Sequence, residues 1–181
     1  MGYEFDLQEA NPIGSDLTTF AADQGNSYLL QAYSQSSFRL GEKLSLNPGV
    51  HLQYFFLNNR YSIEPRFSSR YQINERHSLS LGYGLHSQLE KLSIYLADIP
   101  ADTHSIQANK DLKLGKSHHL VLSYDWMLND HVHLRIAPYY QRLFDIPVVD
   151  GSYLSTLNLT EDFFINDALV NNGTGENIGI D

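Results

Sequence analysis

Apolar and polar residues alternate with a period of two along most of this chain. In residues 28–40 the even positions read Tyr28, Leu30, Ala32, Ser34, Ser36, Phe38 and Leu40. In 44–56, Leu44, Leu46, Val50, Leu52, Tyr54 and Phe56 oppose Ser45, Asn47, His51 and Gln53. The pattern continues through 61–72, 78–88, 118–128 and 132–142. Strict alternation over about ten residues predicts strands with one apolar and one polar face. The expected fold is therefore all-β. Helix signals are weak: Leu89, Leu92, Leu96 and Ile99 have helical spacing ahead of Pro100, and 162–171 admits a short helix.

The connections alternate as well. Gly41-Glu42-Lys43, Asn74-Glu75-Arg76 and Asn129-Asp130-His131 are short and polar, and Gly, Asn and Asp suit tight hairpins. The opposite strand ends are joined by 57–60, 89–117 and 142–176, two of them long. A further long loop is expected over 1–26, with partial strands at 3–7 and 177–181. Short turns at one end and long loops at the other predict an antiparallel up-and-down meander.

Such a meander can bury its apolar face in a core or turn it to lipid. Strands near ten residues match what a tilted strand needs to cross a bilayer, about 9–11. On the apolar face Phe38, Tyr71 and Trp126 lie near the short turns, and Tyr54, Phe56, Tyr61 and Tyr140 near the other end. Leu46, Val50, Leu81 and Leu122 fill the middle. Two aromatic girdles around an aliphatic band are the pattern of a transmembrane outer-membrane β-barrel. The expected membrane girdle is thus Phe38, Tyr54, Tyr71, Trp126 and Tyr140. Glu64, Arg66, Arg70, Asp125, Arg135 and Gln141 lie on polar faces and are the candidates to line the lumen. Tyr95, Phe144, Tyr153, Phe163 and Phe164 are the loop candidates for ligand contact. The alternative is a self-contained small β-barrel or sheet that binds a ligand or partner without transport.

Composition narrows the chemistry. The chain has 181 residues, no cysteine and a net charge of -9, so disulfides and cysteine sites are excluded and a nucleic-acid partner is not expected. The acidity sits at the two ends: residues 1–26 hold Glu4, Asp6, Glu9, Asp16 and Asp23 without a Lys or Arg, and 142–181 hold seven acids and one base. The middle carries a slight positive excess. No stretch approaches the apolar length of a transmembrane helix, about 20 residues, and no signal peptide opens the chain. His118 and His119 lie about 40 Å along the strand from His131 and His133, too far to share an ion, so no metal is expected. The glycines of 173–179 have the wrong spacing for a dinucleotide loop. No nucleophile–base arrangement stands out, and neither an enzyme nor a cofactor is expected.

The run Ser62-Ile63-Glu64-Pro65-Arg66-Phe67, continuing through Tyr71-Gln72-Ile73-Asn74-Glu75-Arg76-His77-Ser78-Leu79-Ser80-Leu81-Gly82-Tyr83-Gly84, resembles the barrel of TonB-dependent outer-membrane receptors of the Bacteroidetes type. So do His118-His119-Leu120-Val121-Leu122-Ser123-Tyr124-Asp125, Leu134-Arg135-Ile136-Ala137-Pro138-Tyr139-Tyr140-Gln141 and the closing Asn172-Gly173-Thr174-Gly175-Glu176-Asn177-Ile178-Gly179-Ile180-Asp181. The resemblance implies a barrel of about 22 strands with a plugged lumen. It also implies TonB contact through an N-terminal part and uptake of a metal chelate, vitamin or glycan. Its partners would be outer-membrane lipid and the remainder of the barrel with its plug. On this reading the 181 residues are expected to be an internal piece of the barrel, located in the bacterial outer membrane.

Overall fold

The computed structural model describes residues 2–10, 17–100, 105–158 and 167–181. In chain order the strands are β1 (Gly2–Ala10), β2 (Leu17–Asn26), β3 (Leu29–Gln35), β4 (Phe38–Leu40), β5 (Leu44–Phe55), β6 (Arg60–Asn74) and β7 (His77–Gln88). A single helical turn, α1 (Leu92–Tyr95), and the short pair β8 (Ile99–Pro100) and β9 (Ser105–Ile106) follow. Then come β10 (Gly115–Asn129), β11 (Val132–Ile136), β12 (Pro138–Val149) and β13 (Leu169–Ile180).

One antiparallel sheet dominates, in the order β13-β12-β10-β7-β6-β5-β3, with β4 pairing β5 and β11 pairing β10. β1 and β2 form a separate hairpin. Prolines explain the two interrupted strands. Pro138 has no N–H and restricts Ala137 before it, which splits β11 from β12. Ala137 still exchanges both backbone hydrogen bonds with Asp181, at 2.9 and 3.1 Å. Pro48 stands opposite the break between β3 and β4, and its carbonyl accepts the Ser36 N–H at 3.0 Å. The result is a consecutive meander that is not closed into a barrel; β3 and β13 are its free edges.

Two of the short turns share one device. The Asn74 side chain accepts the N–H groups of Arg76 and His77, at 2.9 and 3.1 Å. Asn129 accepts the N–H of His131 at 2.9 Å. An Asn side chain that mimics a turn carbonyl fixes both reversals. The third turn uses Gly41 at φ +67°, where a side chain would be strained.

Three expectations need correction. The segments 1–26 and 142–176 are not plain loops: β1 and β2 occupy much of the first, and β12 and β13 extend into the second. β13 escapes an alternation reading because its inner positions are glycines. A Cβ on Gly179 would lie 2.5 Å from the Tyr139 ring, and one on Gly173 would lie 2.6 Å from Val148 Cγ1. Side chains of β12 cover β13 there, so small residues replace the polar half of the pattern. The helix admitted over 162–171 is also corrected, since Leu169 opens β13, which pairs with β12. The rest of that helix lies largely outside the described residues.

The dry core is at the long-loop end of the sheet. Phe55, Tyr95, Leu96, Leu112 and Leu169 are buried together, with Leu57, Leu89, Leu92, Ile94 and Val149 packed around them. It is built by the loop between β7 and β10, set against the ends of β5 and β13.

Candidate functional site

The register puts all the strongly alternating strands in phase. Tyr54 faces Tyr61, Leu52 faces Ile63, Tyr83 faces Leu120, and Leu120 faces Tyr140 on one side. His51 faces Glu64, Ser78 faces Asp125, and His119 faces Gln141 on the other. Burial then runs opposite to hydrophobicity. Ile63 is 57% exposed while Glu64 beside it is 1% exposed. Trp126 is 38% exposed and Asp125 is 6% exposed. At these two pairs the polar residue is the covered one, whereas Arg66, Ser68 and Arg70 on the same face of β6 are exposed.

Glu64 organises that face near the long-loop end. Pairing between β6 and β7 stops at Arg66↔Gly84, although both strands continue. The Glu64 carboxylate fills the parting. It accepts the Ser87 N–H at 3.1 Å, the Ser87 hydroxyl, and the Gln53 amide at 2.7 Å. His51 Nδ1 lies 2.9 Å away and the Arg66 guanidinium donates at 3.0 Å. The carboxylate therefore replaces the missing ladder bond and ties three strands together. Gln31 continues the chain onto β3 through Gln53, at 3.0 Å. Across β7, His86 folds over bare Gly84 and meets His119 edge-on, centroids 4.9 Å apart. His119 contacts Gln141 at 2.9 Å, and Asn177 donates to Gln141 at 2.8 Å. A polar belt thus crosses the sheet from β3 to β13.

A second cluster lies toward the short turns. Asp125 accepts Arg135 Nε at 2.8 Å, and His133 Nε2 lies 3.1 Å from the same oxygen. Arg70 donates to the Ser78 hydroxyl at 3.1 Å. Glu64, Arg66, Arg70, Asp125, Arg135 and Gln141 therefore share one face, in two clusters rather than one site. His51, Gln53, Ser87 and His133 were not anticipated as their partners. Alternation alone placed His51, Gln53 and His133 on the polar side, but only register brings them to a carboxylate. Among the described residues no three His, Asp or Glu side chains are arranged to hold a metal ion.

The apolar face carries its aromatics in two sloping bands. One runs from Tyr54 and Tyr61 to the row of Tyr83 and Tyr140. Across β5 to β12 it drops about six residues over four strand steps, equivalent to a tilt of about 45°. The other runs from Phe38, level with Ser69, past Tyr71 to Trp126. It drops about one residue per strand, or about 35°. Strands of membrane barrels tilt by about 35–45°. The bands are widest on β6, where Tyr61 and Tyr71 are about 33 Å apart along the strand, and narrow to about 20 Å on β10 between the Leu120 row and Trp126. Phe67 lies between the bands. Polar tips are held at both edges: Tyr54 donates to Asn59 at 2.9 Å, Tyr140 donates to Glu176 at 3.0 Å, and His77 stacks on Trp126 and contacts the Tyr124 hydroxyl at 2.7 Å.

The loop aromatics divide. Tyr95 is fully buried in the loop-end core, tilted against Phe55, so its expected ligand contact is corrected: it is packing. Phe144 belongs to β12 and stacks on His118 at 5.0 Å, not to a loop. Tyr153 is 99% exposed. Phe163 and Phe164 lie outside the described residues. Around the core, Asn58 donates to the carbonyls of Lys110 and Leu112, both at 2.9 Å. Asn109 accepts the Leu169 N–H at 2.8 Å, and Thr156 donates to Glu90 at 3.1 Å. Burial raises the Glu90 carboxyl above its usual range, with the Thr156 hydrogen bond opposing. Burial pushes the Tyr95 hydroxyl up to about 12, against the Glu90 backbone, which lowers it.

Replacing Glu64 with Ala leaves the Ser87 N–H unpaired and takes the carboxylate from His51 and Arg66. It should cost about 3 kcal/mol in denaturant unfolding followed by circular dichroism in micelles. Unchanged stability would show that the carboxylate does not join the strands. Glu90 sets a pH dependence. A carboxyl raised in the folded state stabilises it fully below the unfolded pKa, and that contribution is lost as pH rises through the folded value. Amide protection at Leu96, corrected for intrinsic exchange, should therefore fall as pH rises from acid to neutral, and Glu90→Gln should flatten the profile. A flat wild-type profile would contradict this.

No protein-family model matches the chain and no curated protein matches it, so the two faces carry the functional reading.

Proposed function

We propose that this chain forms part of the wall of a transmembrane β-barrel of the outer-membrane type. Its apolar face lies against lipid and its polar face lines the lumen. The observation that carries the reading is the inverted burial of adjacent residues: Ile63 open beside Glu64 covered, and Trp126 open beside Asp125 covered. Water would leave the broad apolar face costly, whereas a bilayer satisfies it. The slope of the aromatic bands supports the same orientation.

The resemblance of 62–84, 118–125, 134–141 and 172–181 to TonB-dependent receptors extends the proposal to nutrient uptake driven through TonB. On this proposal further strands pair with the free edges at β3 and β13, and a plug and the solute meet the face of Arg66, Arg70 and Arg135. The competing reading is a self-contained sheet that binds a ligand or partner. The buried cluster around Tyr95 and Leu96 favours it, because it gives the chain a small core of its own.

Trp126 separates the two. It is the chain's single tryptophan and is exposed on the apolar face. In refolded vesicles, bilayer-borne brominated lipids should quench its fluorescence, most strongly for bromines near the interface. Unquenched Trp126 in a well-folded, water-soluble monomer would overturn the membrane reading.

A further inference from the structure

The apolar face is almost free of formal charge. Among the described residues of β3–β7 and β10–β13, its register positions carry Lys, Arg, Asp or Glu only at Lys116, Arg142 and Glu176. These lie on the adjacent strands β10, β12 and β13, all at the long-loop end. Arg142 is two residues beyond Tyr140 and Lys116 four beyond Leu120. With strands tilted as above, they stand about 5 and 10 Å outside the aromatic band. That is the depth of a headgroup layer, about 5–8 Å on each side of the hydrocarbon, with the reach of a lysine added.

The local pairing leaves a cation available. Glu176 stands opposite Arg142 in register, but its carboxylate takes the Tyr140 hydroxyl. The Arg142 guanidinium has no hydrogen bond or ion pair among the described residues. Lys116 shares Asp145 with Lys113, at 4.0 and 3.5 Å. Lys113, Lys116 and Arg142 thus face two carboxylates and keep a positive excess. Between Lys116 and Arg142, His118 is held by the Tyr83 hydroxyl at 3.0 Å and by stacking on Phe144.

We propose that Arg142 and Lys116 form a site on the lipid-facing surface for the phosphate of an anionic lipid headgroup. A guanidinium suits phosphate oxygens, and Tyr140 and Leu120 just below supply an apolar seat for the attached chain. The site rests on the membrane orientation above and adds to it a leaflet preference, for the leaflet at the long-loop end.

The bulk charge of the chain makes the test sharp. A protein of net charge -9 is repelled by anionic vesicles in general, so a gain in binding requires a local site. The full chain is floated at moderate salt with phosphatidylcholine vesicles and with the same vesicles containing phosphatidic acid. The site predicts tighter association with the second kind. The double variant K116Q/R142Q should lose about tenfold or more of that gain, each cation near an anionic surface being worth roughly fivefold. Its binding to phosphatidylcholine should be unchanged. The variant K43Q/R76Q, at the opposite end, should retain the gain, and millimolar inorganic phosphate should not abolish it. No gain, a gain unaffected by K116Q/R142Q, an equal loss in K43Q/R76Q, or abolition by free phosphate would each overturn the lipid site. Association with neither vesicle would overturn the membrane reading itself, and this site with it.

Discussion

A β-strand sends successive side chains to opposite faces, so each strand has to commit its carboxylates and its isoleucines to different surroundings. Everything in this sheet follows from the surroundings chosen. One side receives Glu64 and Asp125, both covered, and the other receives Ile63 and Trp126, both open. Burying a carboxylate is tolerable only when donors satisfy it, and each carboxylate here has them: Gln53, Ser87, His51 and Arg66 around one, Arg135 and His133 around the other. The charges tie neighbouring strands together.

Among the described residues the same commitment leaves no conventional core between layers. Its dry cluster is instead assembled at the rim, where the loop from β7 to β10 packs against Phe55 and Leu169. Both residues lie on the polar alternation of their strands, so the loop packs on the polar face of the sheet and not on its apolar face. Asn58 and Asn171 clamp its backbone, the second by accepting the Lys113 N–H at 2.8 Å and donating to the Asp145 carbonyl at 2.8 Å, and Asn109 of the loop accepts the Leu169 N–H of β13.

Much of this was legible in the residues. Period two located the strands from 28 to 142, and the turn residues located their reversals, because both signals are local. The two faces were legible for the same reason. The partners of Glu64 were not: His51 and Gln53 are on another strand, and Ser87 reaches it only because β6 and β7 part above Arg66. β13 was hidden for a different reason. Its glycines are shaped by what β12 lays over them, as Tyr139 does at Gly179. Tyr95 was misread because an aromatic in a long connection looks available until the connection is seen to fold on itself. The place of Arg142 and Lys116 on the apolar face needed the pairing of β10 with β12 before it meant anything.

The central claim is that the apolar face meets lipid. Spin labels placed singly along β10 from Leu120 to Trp126, in the vesicle-reconstituted chain, test it residue by residue. The account predicts that collision with molecular oxygen peaks at Leu120, Leu122, Tyr124 and Trp126 and dips at Val121, Ser123 and Asp125, with a polar nickel chelate giving the opposite phase. Even-numbered positions shielded from oxygen, or open to the nickel chelate, would contradict it.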